Sequence, residues 1–154
     1  MREILFKAKR IDNGEWVYGN YAFCDCYTKQ KHYIFQNKPL EYAVDENTIC
    51  QYTGLTDKNG NKIWENDIVR GHSNPDDLAK VVFGEFYVIE VESFEKVDLV
   101  VGWHTEVIQT DYLSKCEPFC LPMPLTDFYI SISEWEVIGN TFDNHELLKG
   151  EQND

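Results

Sequence analysis

The sequence lacks any uninterrupted run of about 20 apolar residues, which is the length that a membrane-spanning helix needs. Its first ten residues, MREILFKAKR, carry too many charges for the apolar core of a secretory signal peptide. These two absences predict a cytoplasmic protein that makes no contact with a membrane.

Familiar catalytic and cofactor-binding motifs are missing as well. The sequence contains no G-x-G-x-x-G, no P-loop and no HExxH. Its five cysteines and four histidines show no local signature of a nucleophile beside a base. We therefore expect no cofactor and no catalytic residue, and we expect the protein not to be an enzyme.

The cysteines also lack the C-x2-C spacing that is typical of zinc sites. Cys24 and Cys26 would share one face of a strand, and Cys116 and Cys120 bracket a loop that contains proline. A zinc site with four thiolates from these two pairs is one interpretation. The spacing favours the other, in which they are small, reduced, buried residues and no metal is bound.

Positive charge is scarce in the second half of the chain. The net charge is -13, yet residues 1–70 carry ten Lys or Arg against ten Asp or Glu. From Gly71 onward four Lys face seventeen acids. Such a field repels phosphate backbones, so we expect no direct binding of nucleic acid. The acids either form a binding surface for a basic protein or serve solubility alone.

Aromatic residues make up 14% of the sequence and favour strands over helices. Two hairpins are predicted first. One joins strands 4–11 and 15–23 across Asp12-Asn13-Gly14, and the other joins strands 48–55 and 62–70 across Asn59-Gly60, since Asn and Gly accept the positive φ angles of tight turns.

Further elements follow from alternation and from turn residues. A short strand is predicted at 32–35 and a further element near 42–44, and a long β-rich run at 79–94 is expected to break at Phe83-Gly84-Glu85. Its expected core face holds Tyr87, Ile89, Val91 and Ser93. Strands are also predicted at 97–103, 125–132 and 135–139, an irregular proline-rich segment at 117–124, and a short helix at 145–149.

These elements predict a mainly β fold within a single domain, residues 1–154. An N-terminal β-sheet region, residues 1–60, is followed by a small SH3-like barrel region, residues 61–150, with a short C-terminal helix. The barrel is inferred from consecutive short strands, because closure removes exposed strand edges.

Asp57 and Asp67 are the acidic residues of greatest chemical interest. Asp57, Asn59 and Asn61 have the spacing that opens a calcium loop, but Lys62 and Ile68 occupy positions where an EF-hand needs Gly and Glu. Asp57 and Asp67 would suit a divalent ion or an acid and base pair if they met across the hairpin base. The structural alternative is that Asp57 organises its turn and Asp67 caps a bend.

Two other residue sets have both a functional and a structural interpretation. His32 has the chemistry of a ligand or base, but no partner at a characteristic spacing, which favours a half-exposed strand residue. Five aromatic residues would suit base stacking, although packing in the core and on sheet faces is their commoner role. They are Trp16, Tyr18, Tyr21, Trp64 and Trp103.

Three separated segments resemble the YopX family, whose members are encoded mostly by phages and prophages of bacteria. The central segment contains QYTGL at 51–55, DKNG at 57–60, and Ile63, Glu65 and DIVR at 67–70. Leu5-Phe6 with KRIDNGEWVYG at 9–19 is similar to the family's opening. Its ending is matched by WEVIGN at 135–140, FDN at 142–144 and ELL at 146–148. Cys50 and Asn66 stand where relatives are expected to have glycine.

The resemblance implies a context and no reaction. We expect a non-enzymatic phage or prophage accessory protein that acts through protein–protein contacts and forms a homo-oligomer. One alternative is a small metal-dependent enzyme that acts on nucleic acid or a nucleotide with Asp57 and Asp67 as ligands. Another is an acidic mimic of nucleic acid that binds a basic host or phage protein.

Overall fold

A computed structural model describes residues 1–25 and 29–151, without the side chains of residues 150 and 151. The strands are numbered in chain order. They are β1 (Phe6–Lys9), β2 (Trp16–Phe23), β3 (His32–Phe35), β4 (Tyr42–Ala43), β5 (Cys50–Thr56), β6 (Lys62–Trp64), β7 (Asp67–Arg70), β8 (Leu78–Ile89), β9 (Lys96–Ile108), β10 (Met123–Pro124) and β11 (Glu136–Asn140). The α-helix is α1 (Asp127–Ser133), and three short 3-10 helices are at Glu46–Thr48, Leu113–Lys115 and His145–Glu151. The fold is therefore mainly β, as predicted.

The chain forms two compact units, Met1–Gly54 and Leu55–Asp154. In the first unit the antiparallel strand order is β4-β3-β2-β1-β5. The predicted turn between β1 and β2 is present, since the Gly14 amide donates to the Arg10 carbonyl at 3.0 Å and Gly14 has a φ of 73°. Ala8, Ile34 and Val44 form the buried core of this unit.

One glycine of the first unit is required by close packing. A side chain on Gly19 in β2 would collide with the backbone carbonyl of Phe35 in β3. The two strands are paired through Asn20 and Phe35, so a larger residue at position 19 would push the ladder apart.

In the second unit the antiparallel order is β10-β9-β8-β7-β11. Within the described residues, β10 and β11 form the two separate edges of this sheet. The sheet therefore does not close into a barrel, and the predicted SH3-like barrel is not confirmed. One core cluster contains Ile63, Val69, Val81, Leu125 and Trp135, and a second is built on Ile68, Leu78 and Ile108. The predicted C-terminal helix at 145–149 is found as the 3-10 helix His145–Glu151.

The predicted strand at 62–70 is in fact two strands. β6 and β7 are separated by a turn in which Asn66 has a φ of 67°. Asn66 thus has the left-handed conformation that glycine favours and that asparagine also adopts. Cys50 is fully buried in β5 and has no positive φ, so its backbone conformation does not require glycine.

The expected break at residues 83–85 is wrong. β8 continues through this point because Phe83, Gly84 and Glu85 pair directly with residues of β9. The hairpin turn lies at residues 90–95 instead, where the Glu90 amide donates to the Glu95 carbonyl at 2.9 Å. The predicted core face is also wrong, since Phe86 is buried whereas Tyr87 and Val91 are exposed.

The predicted strand at 125–132 is also incorrect, because α1 occupies most of it. The Thr126 side chain caps this helix by accepting from the Tyr129 amide at 3.2 Å. Ile130 turns into the core while Phe128 and Ile132 are exposed, which is a helical burial pattern. The segment 117–124, predicted to be irregular, ends in the two-residue strand β10, paired with His104 and Thr105.

Candidate functional site

Asp57 organises the turn between β5 and β6. Its Oδ1 accepts hydrogen bonds from the amides of Asn59 and Asn61, both at 2.9 Å. Its Oδ2 accepts from the amide of Val137 in β11 at 2.9 Å. One carboxylate therefore holds its own turn and also joins that turn to a strand 80 residues away in the sequence.

The hydrogen bonds of Asp57 also set its acidity. The side chain is only 5% exposed, and burial by itself would raise the pKa of this carboxyl. The amides of Val137, Asn61 and Asn59 favour the charged form and outweigh burial, so the pKa of Asp57 is below its usual value. The carboxylate is thus kept ionised by main-chain donors.

Asp67 has a similar structural role at the next turn. It is 2% exposed, and its Oδ2 accepts from the Trp64 amide at 2.8 Å across the bend at Asn66. Both aspartates bind backbone amides, as the structural alternative predicted. Within residues 1–25 and 29–151, no three His, Cys, Asp or Glu side chains gather as a metal site would require.

Glu136 of β11 brings together two of the sequence segments that resemble the family. Its Oε1 accepts from Nε of Arg70 in β7 at 2.8 Å, and from Nη2 of the same guanidinium. Lys58 Nζ lies 3.7 Å from its Oε2, and Asn59 Nδ2 donates to Oε2 at 3.4 Å. The hydrogen bond with Arg70 lowers the pKa of Glu136. Arg70, Lys58 and Asn59 from the central segment therefore contact Glu136 of the last segment, and these contacts have a role in the fold.

The cysteines do not collect into a described metal centre. Cys50 is fully buried, and its Sγ donates to the Thr48 carbonyl at 3.3 Å. Cys24, Cys116 and Cys120 are half-buried, and Cys26 lies outside the described residues. Cys50 is thus a core residue.

His32 has partners that sequence spacing did not reveal. Tyr21 Oη lies 2.7 Å from its Nδ1, and Glu46 Oε2 lies 2.9 Å from its Nε2. These three residues come from β2, β3 and the first 3-10 helix, so the sheet brings them together. Alternation along β2 and β3 shows only which side chains share a face of the sheet. The register, in which Phe23 pairs with His32 and Tyr21 pairs with Ile34, makes Tyr21 and His32 diagonal neighbours on one face.

The five aromatic residues considered for base stacking have different environments. In the first unit, Lys7 and Lys9 lie over the Trp16 ring at 4.6 and 5.4 Å, and Tyr18 is exposed. Tyr21 packs against the core of that unit. In the second unit Trp64 is buried and Trp103 packs against the core. Most of these rings therefore contribute to packing.

The outer part of the β8 and β9 hairpin presents exposed apolar side chains. We call residues 83–103 the ribbon. Cross-strand partners share a face, and Phe83 pairs with Trp103, Glu85 with Val101 and Tyr87 with Leu99. The apolar residues of this ribbon face are Phe83 (55% exposed), Tyr87 (43%), Leu99 (48%), Val101 (64%) and the partly buried Trp103.

Both edges of the ribbon lack a neighbouring strand in the part of the chain that the structure describes. β7 pairs with β8 only at Leu78, Ala79 and Lys80, and β10 pairs with β9 only at His104 and Thr105. Unpaired edges expose main-chain donors and acceptors that a further strand can bind. The ribbon therefore offers an apolar face and two hydrogen-bonding edges.

The ribbon is also acidic. Between residues 85 and 98 the only basic side chain is Lys96, which lies over the Tyr87 ring at 4.2 Å. The acids of this segment are Glu85, Glu90, Glu92, Glu95 and Asp98. Glu90 accepts from the Ser93 side chain and from backbone amides in the turn, which lowers its pKa. The ribbon thus combines apolar surface with negative charge.

An apolar cavity of about 330 Å³ lies in the second unit between the tip of the ribbon, the end of β9, the segment 118–124 and α1. Its lining includes Val107, Phe119, Leu121 and Trp135, with Asp77 on one wall. Burial raises the pKa of Asp77, the nearby charge of His72 opposes the rise, and Asp111 adds to it. This carboxyl therefore destabilises the fold when ionised, in contrast to Asp57.

No helix in the described residues has the length and apolarity needed to cross a membrane. A family model described as "YopX protein" matches residues 5–149. A comparison with curated proteins finds no match. The matched range includes the turn at Asp57, strand β11 and the whole ribbon.

Proposed function

The chain belongs to the YopX family, and from that premise we propose that it is a non-enzymatic phage or prophage accessory protein that acts through protein–protein contacts and self-associates through the ribbon face. The observation that carries the proposal is the row of exposed apolar side chains on this face. The main-chain hydrogen bonds made by Asp57 and Asp67 support it further, because they give both carboxylates a role in folding.

The size of the ribbon face sets the expected strength of self-association. Four side chains that are each about half exposed leave roughly 400 Å² of apolar surface, which is within the range of about 300–600 Å² for the largest patch on a typical monomer. A stable interface buries about 800 Å² per partner. The face alone therefore supports a weak, concentration-dependent dimer, which pairing of ribbon edges would strengthen.

Charge predicts how salt affects this dimer. Two copies joined through the ribbon face would bring Glu85, which shares this face, close to the acids of the partner copy, and like charges repel. Salt screens this repulsion and leaves the burial of apolar surface intact. Self-association should therefore strengthen as the salt concentration rises.

Analytical ultracentrifugation at several protein concentrations, in low and high salt, tests the proposal. Leu99→Lys places a charge in the ribbon face and should abolish the dimer. Ile132→Lys is a matched control, because Ile132 is 51% exposed on α1 and Leu99 is 48% exposed. A monomer at every concentration and salt would overturn the proposal, and so would equal dimerisation of both variants and the original protein.

The acidic ribbon also supports a second candidate function, in which the surface mimics nucleic acid and binds a basic host or phage protein. The five acids between residues 85 and 98 support this alternative. Such a complex would weaken with salt, which is the opposite of the effect expected for the dimer.

The second candidate is tested by retention of proteins from a bacterial lysate on the immobilised chain, with washes of increasing salt. A variant with Glu90, Glu92 and Glu95 all changed to Gln should lose any basic protein that the original chain retains. Equal retention by this variant would exclude mimicry by the ribbon.

A further inference from the structure

We propose that the apolar cavity of the second unit binds a small organic amine, with the ammonium group beside the Asp77 carboxylate and the apolar body inside the cavity. The cavity volume of about 330 Å³ is within the range of small-molecule sites. Its described lining contains no Lys, Arg or His, and Asp77 is the one charged side chain in it. A ligand of this cavity would therefore be mostly apolar and would meet negative charge at one wall.

Main-chain hydrogen bonds hold Asp77 in place and leave its carboxylate without a donor. The Gly71 amide donates to the Asp77 carbonyl at 2.9 Å, and the Asp77 amide donates to the Asn74 carbonyl at 3.1 Å. Among the residues that the structure describes, none donates a hydrogen bond to the Asp77 carboxylate, whereas Asp57 and Asp67 both accept from backbone amides. A half-buried charge without a partner is costly, so a ligand cation would have a larger effect here than beside an exposed carboxylate.

The Asp77 carboxylate lies next to the aromatic part of the cavity. A side chain added to Gly71 would collide with Asp77 Oδ2 and would lie 3.1 Å from Cζ3 of Trp135, so these two atoms converge on the same point. Trp135 is 7% exposed and lines the cavity together with Phe119 and Tyr129. Aromatic faces attract cations, and a carboxylate beside them adds a direct Coulomb attraction. This combination favours an ammonium group over a neutral alcohol of the same shape.

The surroundings of Asp77 attract cations as well. A second cavity of about 310 Å³ shares Asp77 and Phe119 with the first, and Asp76 and Asp111 also line it. The described lining of this second cavity sets these three acids against one basic group, the side chain of His72. The whole second unit carries seven Lys or Arg and twenty acidic residues. A field of this sign raises the local concentration of cations and repels anions.

Substitutions of two neighbouring aspartates separate direct contact from the general field. Asp77→Asn removes the carboxylate charge and should weaken amine binding by about tenfold or more. Asparagine is neutral, and burial opposes the charge of Asp77, so this variant should stay folded at pH 7. Asp76→Asn is the matched control, because it removes the same charge from an exposed residue that does not line the apolar cavity. It should weaken binding by less than about twofold.

Isothermal titration calorimetry at pH 7 with 2-phenylethylamine and with 2-phenylethanol measures these effects, because the two probes share an apolar body and differ in charge. The amine should bind the original chain with a Kd of about 1 mM or tighter, and more tightly than the alcohol; Asp77→Asn should remove that difference. In NMR spectra the amine should shift the indole N–H signal of Trp135 and leave that of Trp16, in the first unit, unchanged. The proposal would be overturned by no binding of the amine, by equal binding of the two probes to the original chain, by equal losses in the two variants, or by an unshifted Trp135 signal.

Discussion

Replacing Asp57 by asparagine should destabilise the second unit by about 2–4 kcal/mol. An amide of the same shape can keep an oxygen toward the Asn59 and Asn61 amides. Its NH2 group then faces the Val137 amide, so that a donor meets a donor where the carboxylate accepts at 2.9 Å. Loss of that charge-assisted bond costs about 1.5–3 kcal/mol, and weakening of the two turn bonds accounts for the rest.

The effect of Asp57→Asn should depend on pH. Because the pKa of Asp57 is lower in the folded protein than in the unfolded chain, its ionised form stabilises the fold above the unfolded pKa of about 3.9. That stability is lost as the pH falls through the folded pKa. The difference between the two proteins should be full at pH 7 and should shrink in acid below pH 4.

Urea unfolding followed by tryptophan fluorescence at several pH values measures this difference. Amide hydrogen exchange at Val137 shows whether the bond between the turn and β11 is lost. Asp12→Asn removes the same charge from an exposed hairpin turn of the first unit and should leave Val137 protection unchanged. Wild-type unfolding and unchanged Val137 protection in Asp57→Asn would refute the reasoning.

Three further substitutions test other contacts. Glu136→Gln weakens the pair with Arg70 and should lower the urea midpoint at pH 7, and this difference should fade as the pH drops below the usual Glu value. Gly19→Ala should destabilise the first unit by about 1–3 kcal/mol, because the added methyl group overpacks against Phe35. Gly84→Ala is the control, because its methyl group meets open space, and its midpoint of urea unfolding should change much less. The pKa of Asp77 is raised in the folded protein, so the fold loses stability as the pH rises and this carboxyl ionises. Asp77→Asn should therefore have a higher midpoint of urea unfolding than the original protein at pH 7, but not at pH 3.

Local signals in the sequence were sufficient for the first two hairpin turns and for the mainly β class. Asp12-Asn13-Gly14 and Asn59-Gly60 both predict hairpins, and Gly14 and Gly60 indeed have positive φ angles. These signals succeed because a tight turn depends on the conformational freedom of its own residues. The role of Asp57 in its own turn could be predicted from the turn sequence as well. Its hydrogen bond with the Val137 amide could not, because Val137 lies 80 residues away in the sequence.

Long-range packing determined the features that the sequence did not reveal. Gly84 suggested a break, yet it lies opposite Gly102 in a continuous ladder, because pairing along the whole strand outweighs one weak residue. Ile130 and Ile132 favour a strand locally, but the Thr126 cap and the burial of Ile130 select a helix. The chain of Tyr21, His32 and Glu46 likewise requires the register of two strands and a neighbouring turn.

The hydrogen bond from Val137 to Asp57 has a consequence for synthesis on the ribosome. The core residues Ala8, Ile34 and Val44 all precede residue 55, so the first unit can fold soon after it emerges. The turn at Asp57 has to wait until 80 more residues have been translated before it meets its partner in β11. During that interval the Asp57 carboxylate and the edge of β7 that later pairs with β11 are both exposed to the cell, so a ribosome that stalls before Val137 presents a first unit able to fold and a second unit without its edge strand.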